Sequence, residues 1–492
     1  MSAPLPRTIH ELLVRQGELF ASAPAIVVAD RAPLDYAGLA AEVDRTAAAL
    51  ADAGVDRRSR VAVALPNAPE TVTAILAVLC AGICVPLNPG LGQAPSEALL
   101  RRLRVDMLMA QHAADSPVVA AARSLGLAVL RLADAPRRPA GAVLLRHEGE
   151  RATTTRSTPS PEDLAVVFHT SGTTWIPKAV PLTHAQLLAR ARAQPTLASD
   201  RCLLVPPVFT AGVFWHSLLS PLGAGAVIAF ARDAGEDALL DALRTLKITC
   251  FSANPALLQS LGERVAGERA VAPALRFIRS SASALAPEQQ RRLEATFGVP
   301  VIQGYGMTEV GTIAQNPLPP MPRKPGSVGV SVGPDIAIIG DDGRFVPANV
   351  TGEIVVRGSG TMNGYEDDPD ASARAFHAGW FRTGDSGHLD DDGYLFITGR
   401  IKELINRGGM KVSPAEVDEV LLRHPDVAES SAFGVPHPTL GEDVVAAVVV
   451  RGSATISAQQ LRDFAFGHLA PYKVPSAILH VPALPRTAAG WT

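Results

Sequence analysis

Between strand-like and helix-like stretches, the segment His169-Thr170-Ser171-Gly172-Thr173-Thr174-Trp175-Ile176-Pro177-Lys178-Ala179-Val180 concentrates small hydroxyl residues, a glycine and a lysine. That composition suits a phosphate cradle. Backbone N–H groups can approach the oxygens closely, while the hydroxyls of Thr170, Ser171, Thr173 and Thr174 and the ammonium of Lys178 offset the charge. Gly172 leaves room for the approach. Trp175 contradicts the rest, because an indole buries roughly 150–250 Å² of largely apolar surface where a triphosphate needs space and polar partners. The segment reads as a phosphate loop with a plug in it.

Four further segments carry polar groups at fixed spacing. Gly304-Tyr305-Gly306-Met307-Thr308-Glu309 sets a hydroxyl beside a hard carboxylate oxygen of the kind Mg²⁺ takes. Trp380-Phe381-Arg382-Thr383-Gly384-Asp385 ends on a carboxylate able to accept two hydroxyls at once. Gly393-Tyr394-Leu395-Phe396-Ile397-Thr398-Gly399-Arg400-Ile401-Lys402-Glu403 contains the forked donor Arg400. Asn406-Arg407-Gly408-Gly409-Met410-Lys411-Val412-Ser413-Pro414 contains a glycine pair. Each has an ordinary alternative when taken alone. Asp385 and Arg400 could form a surface pair, Tyr305 could be a core aromatic, Lys402 a solvated lysine, and Gly408 with Gly409 a plain turn.

In this order, the five segments resemble the adenylate-forming superfamily, which comprises acyl-CoA synthetases, adenylation domains of peptide synthetases and firefly-type luciferases. The likeness runs from Leu34 to Gly490. It implies a site for AMP or an acyl-adenylate. Tyr305 would stack on adenine, with Ser281, Ala282, Ser283, Gln303 and Gly304 on the other side. Asp385 would take the ribose, Arg400 the ribose or α-phosphate, Thr308 the α-phosphate, and Glu309 would admit Mg²⁺. Lys402 would be the hinge of a small rotating domain. Gly408 and Gly409 would leave the backbone open where the pantetheine arm of coenzyme A enters. Phe209, Thr210 and Met307 would border the acyl pocket.

Three departures from the family pattern matter. Trp175 stands in the phosphate loop. Leu484-Pro485-Arg486-Thr487-Ala488-Ala489-Gly490 matches the closing segment, where the glycine precedes a lysine that serves adenylate formation; here Trp491 follows. One preorganised donor is worth about 3–4 kcal/mol, or about 10²–10³ in rate, and an indole N–H carries no charge. Third, Pro207-Val208 is followed by Phe209-Thr210, where the family often has an aromatic–His pair. Ser280–Leu285 and Asn316-Pro317-Leu318-Pro319 resemble the oxalate- and short-acid ligase branch, yet the missing His argues for a roomier, less polar pocket.

The first two departures strike ATP-driven adenylation and spare the groups for thioester formation. The expected protein resembles a non-adenylating acyl-CoA ligase of a natural-product (antibiotic, diterpenoid) pathway. It takes a preformed acyl-adenylate of a bulky acid from a separate adenylating enzyme, transfers the acyl group to coenzyme A and releases AMP. The alternatives are a complete ATP-dependent, AMP-forming acyl-CoA synthetase and a non-catalytic acyl-nucleotide-binding remnant. Intact Asp385, Arg400, Gly408 and Gly409 tell against the remnant.

The elements that must position these groups follow from composition. At 492 residues and 47% hydrophobic content, the chain needs more than one core. A net charge of -3 without a basic run argues against nucleic acid or an anionic membrane as the main partner. Thr71–Leu87 is apolar but shorter than the about 20 residues of a membrane span, and reads as a buried helix followed by a buried strand. Met1–Arg7 lacks an apolar signal region, and Cys80, Cys84, Cys202 and Cys250 read as buried reduced thiols. A cytoplasmic protein is expected, with a homodimer compatible.

Apolar runs at Arg60–Ala64, Leu164–Phe168, Gly225–Phe230, Ile248–Phe251, Leu275–Ser280 and Val299–Gln303 alternate with Ala/Leu/Arg stretches, predicting mostly parallel βα sheets. Ser327–Gly340 and Gly352–Arg357 predict strands joined by a tight turn at Asp341-Asp342-Gly343. Capping boxes are expected at Thr8–Glu11, Ser413–Glu416 and Ser457–Gln460, and a short strand at Val444–Val450. The fold class is α/β. A large N-terminal domain, 1–401, has two mostly parallel βα sheets plus a small β subdomain, and a small mobile α+β C-terminal domain spans 402–492.

If the two tryptophans are the block, Trp175→Gly combined with Trp491→Lys should restore detectable acid-dependent pyrophosphate release from ATP. Either change alone should restore little, because groups acting as one unit are non-additive. Acyl-AMP formation from ATP by the unaltered protein would refute the idea.

Overall fold

The computed structural model describes residues 4–112, 115–133, 138–148, 154–155, 157–170, 177–268, 272–281, 283, 285–408, 410–452 and 455–485. A large N-terminal α/β domain carries two extended sheets and a smaller one, and a small C-terminal domain has its own sheet. The first sheet has seven strands in the order Leu144–Glu148, Ala128–Ala133, Met107–Gln111, Arg60–Ala64, Ile83–Pro86, Leu164–Thr170, Lys178–Thr183. The second has nine, in the order Val330–Ser331, Gly311–Gln315, Val301–Met307, Phe277–Ser280, Cys250–Ala253, Arg201–Leu203, Val227–Phe230, Pro24–Val28, Leu34–Asp35. Both are parallel in the middle and antiparallel at their edges. Strands covered on both faces need apolar residues at successive positions, which is why these runs were continuous in the sequence.

Helix Pro69–Ala81 is buried at each of its 13 positions and touches strands of both sheets, Pro24–Val28 and Leu164–Thr170. Strand Ile83–Pro86 follows it, also buried. The apolar stretch from Thr71 to Leu87 is therefore a helix packed between two sheets followed by a buried strand of one of them. Among the described residues no helix is long and apolar enough to cross a membrane. The four cysteines are buried and form no disulfide among the described residues.

Several local expectations are corrected. Ser327–Gly340 is not one strand, because Gly333-Pro334 interrupts it. Val330–Ser331 joins the edge of the nine-stranded sheet, and Asp335–Ile339 pairs with Gly352–Arg357 in the five-stranded sheet. The tight turn at Asp341-Asp342-Gly343 is present, with Gly343 N–H donating to the Gly340 carbonyl at 2.9 Å, but it folds Phe345 back onto Ile339, and the chain reaches Gly352–Arg357 only after residues 344–351. Thr8 caps helix Ile9–Leu19 by accepting from Glu11 N–H, but the Glu11 carboxylate accepts from Arg7 N–H, so the box is not reciprocal. At Ser413 the same failure has another cause. Glu416 is held by the Lys473 ammonium at 2.7 Å. The box at Ser457 and Gln460 is reciprocal.

In the C-terminal domain, strands Met410–Val412, Ile405–Arg407, Gly441–Val450, Val427–His437 and Ala477–His480 form a sheet with helices Pro414–Leu422 and Ala458–Phe466 around a separate core. The strand expected at Val444–Val450 starts three residues earlier, at Gly441, where it pairs with Val427–His437.

Gly329 joins these layers. Its carbonyl accepts from Leu395 N–H at 2.8 Å, linking the β subdomain to the nine-stranded sheet. Its φ is +96°, and a Cβ there would stand 2.0 Å from the Gln315 carbonyl oxygen, an immovable backbone atom. Gly329→Ala should therefore destabilise the N-terminal domain by roughly 3 kcal/mol or more. At Gly126, where φ is +70° but no atom lies within 4 Å, the same change should cost only about 1–2 kcal/mol of backbone strain. The separation of the two urea midpoints checks this.

Candidate active site

Thr170 ends strand Leu164–Thr170 and pairs with Lys178, the first residue of the antiparallel strand Lys178–Thr183. Ser171, Gly172, Thr173, Thr174 and Trp175 lie outside the described residues, as do Ala282, Gly409 and Trp491. Lys178 is placed by the strand. Its ammonium sits over the ring of Tyr365, 4.4 Å from the centroid. The Tyr365 hydroxyl donates to Glu309 Oε1 at 2.8 Å.

Glu309 and Thr308 stand at the tip of a hairpin. Strand Val301–Met307 turns back into Gly311–Gln315, with a bulge between Tyr305 and Gly306. A Cβ on Gly306 would lie 2.3 Å from the Gly311 carbonyl oxygen, so the bulge requires glycine. The tip is clamped by Arg190, from the capped helix His184–Arg192. Its guanidinium donates to the carbonyls of Gly360 (2.8 Å), Thr308 (2.9 Å) and Glu309 (2.9 Å), and stacks over Trp215. Burial pushes Arg190 down to about 9, with the Glu309 charge opposing, so it stays charged at neutral pH.

Asp385 and Arg400 are direct partners in the antiparallel pair Trp380–Leu389 and Leu395–Arg400. Arg400 Nε donates to Asp385 Oδ1 at 3.2 Å, and the Tyr305 hydroxyl donates to Asp385 Oδ2 at 2.5 Å. Asp385 is 4% exposed, which excludes the surface-pair alternative, whereas Arg400 projects outward. Burial raises the Asp385 carboxyl above its ordinary value, opposed by the Tyr305 hydroxyl and Arg400. Burial and the Asp385 charge push the Tyr305 phenol well up, so it remains a donor. Tyr305, Asp385 and Arg400, which come from three strands, thus form one cluster.

Gln303 is buried, and its side-chain oxygen accepts from Leu285 N–H at 3.0 Å, holding down the segment that carries half-buried Ser281 and exposed Ser283. Gly304 and Met307 are half-buried. Phe209 is half-buried, while Thr210 is exposed with its hydroxyl donating to the Pro207 carbonyl. The following helix widens into a π-helical turn, Phe214–Leu219, a geometry frequent at functional sites. It presents His216 Nε2 to Thr312 Oγ1 at 2.7 Å. Burial and the Arg279 charge hold His216 well below its usual range, hence neutral. The absent His at position 210 thus does not leave this part of the fold without an imidazole.

Lys402 is exposed in the turn after strand Leu395–Arg400. Gly408 adopts φ +60° in the turn between Ile405–Arg407 and Met410–Val412, its N–H donating to the Leu440 carbonyl. Sequence reasoning missed Arg190, Tyr365 and His216. For Arg190 a signal existed, since an arginine sits on the apolar face of a helix beside Leu187 and Ala191.

With this geometry in place, known proteins locate the chain. The AMP-binding enzyme family matches residues 13–366, and the AMP-binding enzyme C-terminal domain matches residues 416–490. The chain belongs to the AMP-binding enzyme family. Oxalate–CoA ligase of Arabidopsis thaliana is 36% identical to it over 498 residues, covering 98% of this chain and 96% of the relative. Sulfoacetate–CoA ligase of Cupriavidus necator is 34% identical over 465 residues, covering 93% and 90%. Among solved structures, ATP-bound MatB from Rhodopseudomonas palustris superposes with a TM-score of 0.88 at 26% identity, covering 98% of this chain and 97% of that one.

In this AMP-binding enzyme, nucleotide affinity should track the charge of Asp385, since only the carboxylate accepts two hydroxyls at full strength. Because its pKa is raised, AMP binding should weaken on acidification at a pH above the ordinary carboxylate value of about 3.9. Asp385→Asn should bind AMP more weakly with no such decline. Calorimetric titrations between neutral and mildly acidic pH check this, and parallel profiles for the two proteins would remove Asp385 from the site.

Proposed function

We propose that the chain is an acyl-CoA ligase confined to the second half of the family's chemistry. It takes an acyl-adenylate and coenzyme A and yields an acyl-CoA and AMP. The coenzyme A thiol loses its proton, sulfur attacks the acyl carbon, and the bond from that carbon to the phosphate oxygen breaks. The observation that carries this reading is the cluster of Tyr305 and Arg400 on the buried Asp385 carboxylate, an arrangement that would suit a nucleoside, in a sequence that has Trp175 in its phosphate loop and Trp491 at the expected lysine position.

Asp385 would accept the ribose hydroxyls, and the Tyr305 ring would face adenine beside Gln303, Gly304 and Ser281–Ser283. Thr308 would donate to the α-phosphate, and Arg400 would add positive charge at the outer edge. The exposed turn at Lys402 suits a swivel between 1–401 and 402–492. The turn at Gly408 would admit the pantetheine thiol. Thr210 in place of a histidine, with Phe209 and Met307 as the expected borders of the acyl pocket, would suit a bulky acid of terpenoid type, delivered as its adenylate by a separate enzyme in the cytoplasm. Glu309 fits Mg²⁺, which is content with one carboxylate plus substrate phosphates; when bound, the ion would neutralise phosphate charge.

A second reading, the complete ATP-dependent ligase, is favoured by Lys178 and Glu309, which keep a phosphate-side cation and a metal-class carboxylate together around Tyr365. Relatives named oxalate–CoA ligase and sulfoacetate–CoA ligase support it too.

Two parallel assays separate the readings. Acyl-AMP plus coenzyme A should give thioester and AMP. ATP, acid and coenzyme A should give less by about 10² or more, the scale of one lost charge-stabilising donor. ATP should also bind more weakly than AMP. Stoichiometric pyrophosphate release with thioester formation would decide for the complete ligase.

A further inference from the structure

We infer that Tyr365 is a positioning residue that holds Lys178 and Glu309, the two opposite charges on the phosphate side of the site, in a single arrangement. This rests on reading the Thr308 and Asp385 region as an adenylate site. The Tyr365 hydroxyl donates to Glu309 Oε1 at 2.8 Å, and its ring face carries the Lys178 ammonium at 4.4 Å. One phenol therefore touches both charges. Burial and the Glu309 charge push that phenol far above its ordinary range, so it stays protonated and keeps donating.

Tyr365 is itself held from both sides. Its N–H donates to Ser372 Oγ at 2.9 Å. Glu366 N–H donates to the carbonyl of Ala179, the neighbour of Lys178, at 3.0 Å. The Glu366 carboxylate pairs with Arg60, in the seven-stranded sheet. Met362 N–H donates to the Glu309 carbonyl at 2.8 Å, and Gln186 Nε2 to that of Thr361 at 2.7 Å. The segment around Tyr365 is thus stitched to the strand that starts at Lys178 and to the turn that carries Thr308 and Glu309.

The chemistry gives this arrangement a purpose. When AMP leaves, negative charge develops on the α-phosphate, and a cation in a fixed place stabilises it without reorganising. A long lysine has many rotamers, and the aromatic face restricts them. The Glu309 carboxylate would oppose the departing charge if free to swing. The Tyr365 hydroxyl engages one of its oxygens.

The test measures thioester formation from acyl-AMP and coenzyme A with the full chain. Tyr365→Leu, which removes both contacts, should lower kcat about tenfold while KM for the acyl-adenylate moves by less than about threefold. Lys178→Met should do the same, and the double variant should be no slower than either single one. Tyr365→Phe keeps the ring and should lose no more than about threefold. Equal losses in the Phe and Leu variants, or losses that multiply in the double variant, overturn the inference. Should Tyr365→Leu not fold, Lys178→Arg against Lys178→Met decides. Arginine also stacks on an aromatic face and should stay within about threefold of the parent, whereas equal loss from the two overturns the role. Calorimetry with AMP separates the levels. A parent protein that does not bind AMP overturns the site reading, while AMP binding with a multiplicative cycle overturns only the role of Tyr365.

Discussion

One buried guanidinium holds the site's two halves in register. Arg190 lies on a helix that packs against the seven-stranded sheet, and it donates to the carbonyls of Thr308, Glu309 and Gly360. A charge removed from water is costly unless each donor is used. Three carbonyl partners and the face of Trp215 meet that need without a carboxylate. Losing Arg190 would leave the half-buried Thr308 and Gly360 carbonyls without this donor, each costing about 1–3 kcal/mol, while the Glu309 carbonyl would keep Met362 N–H, and it would release the tip on which Thr308 and Glu309 sit. Even the space is shared. A Cβ at Gly311 would meet the Arg190 side chain at 2.8 Å, and one at Gly360 would meet it at 3.0 Å.

A second buried arginine follows the same rule. Arg279, in strand Phe277–Ser280, donates to the side-chain oxygens of Gln315 and Gln194. Gln194 in turn donates to Thr312, which also meets His216. Burial pushes Arg279 down to about 10, so it too remains charged. Arg190 and Arg279 thus take neutral oxygen acceptors as their hydrogen-bond partners. The carboxylates that are present are engaged, Asp385 by Tyr305 and Arg400, and Glu309 by Tyr365.

The hairpins convert short sequence segments into a site. Gly304–Glu309 and Trp380–Asp385 are far apart in the chain, yet the fold brings the Tyr305 hydroxyl, near the end of strand Val301–Met307, onto Asp385 in the middle of strand Trp380–Leu389. Asp385 faces Arg400 through the register of one antiparallel pair, which a shift of one residue would break. The bulge at Gly306 and the left-handed turn at Gly408 require glycine for different reasons, a lack of space in the first case and backbone conformation in the second.

The α/β class, the parallel centres of both large sheets and the buried run from Thr71 to Leu87 were determined by the sequence itself. Strands and helices covered on all sides must be apolar at nearly every position, and that leaves an unbroken signal. Asp385, Arg400, Thr308 and Glu309 were legible as residue types at characteristic spacing. Their partnerships were not. Arg190 is 118 to 170 residues from the carbonyls it binds, and a carbonyl belongs to every residue, so no letter in the sequence marks it. Tyr365 reads as one aromatic among several until the fold sets its ring under Lys178 and its hydroxyl on Glu309. Tertiary structure alone decided these contacts, because they depend on where distant backbone atoms come to rest and not on the identity of neighbours along the chain.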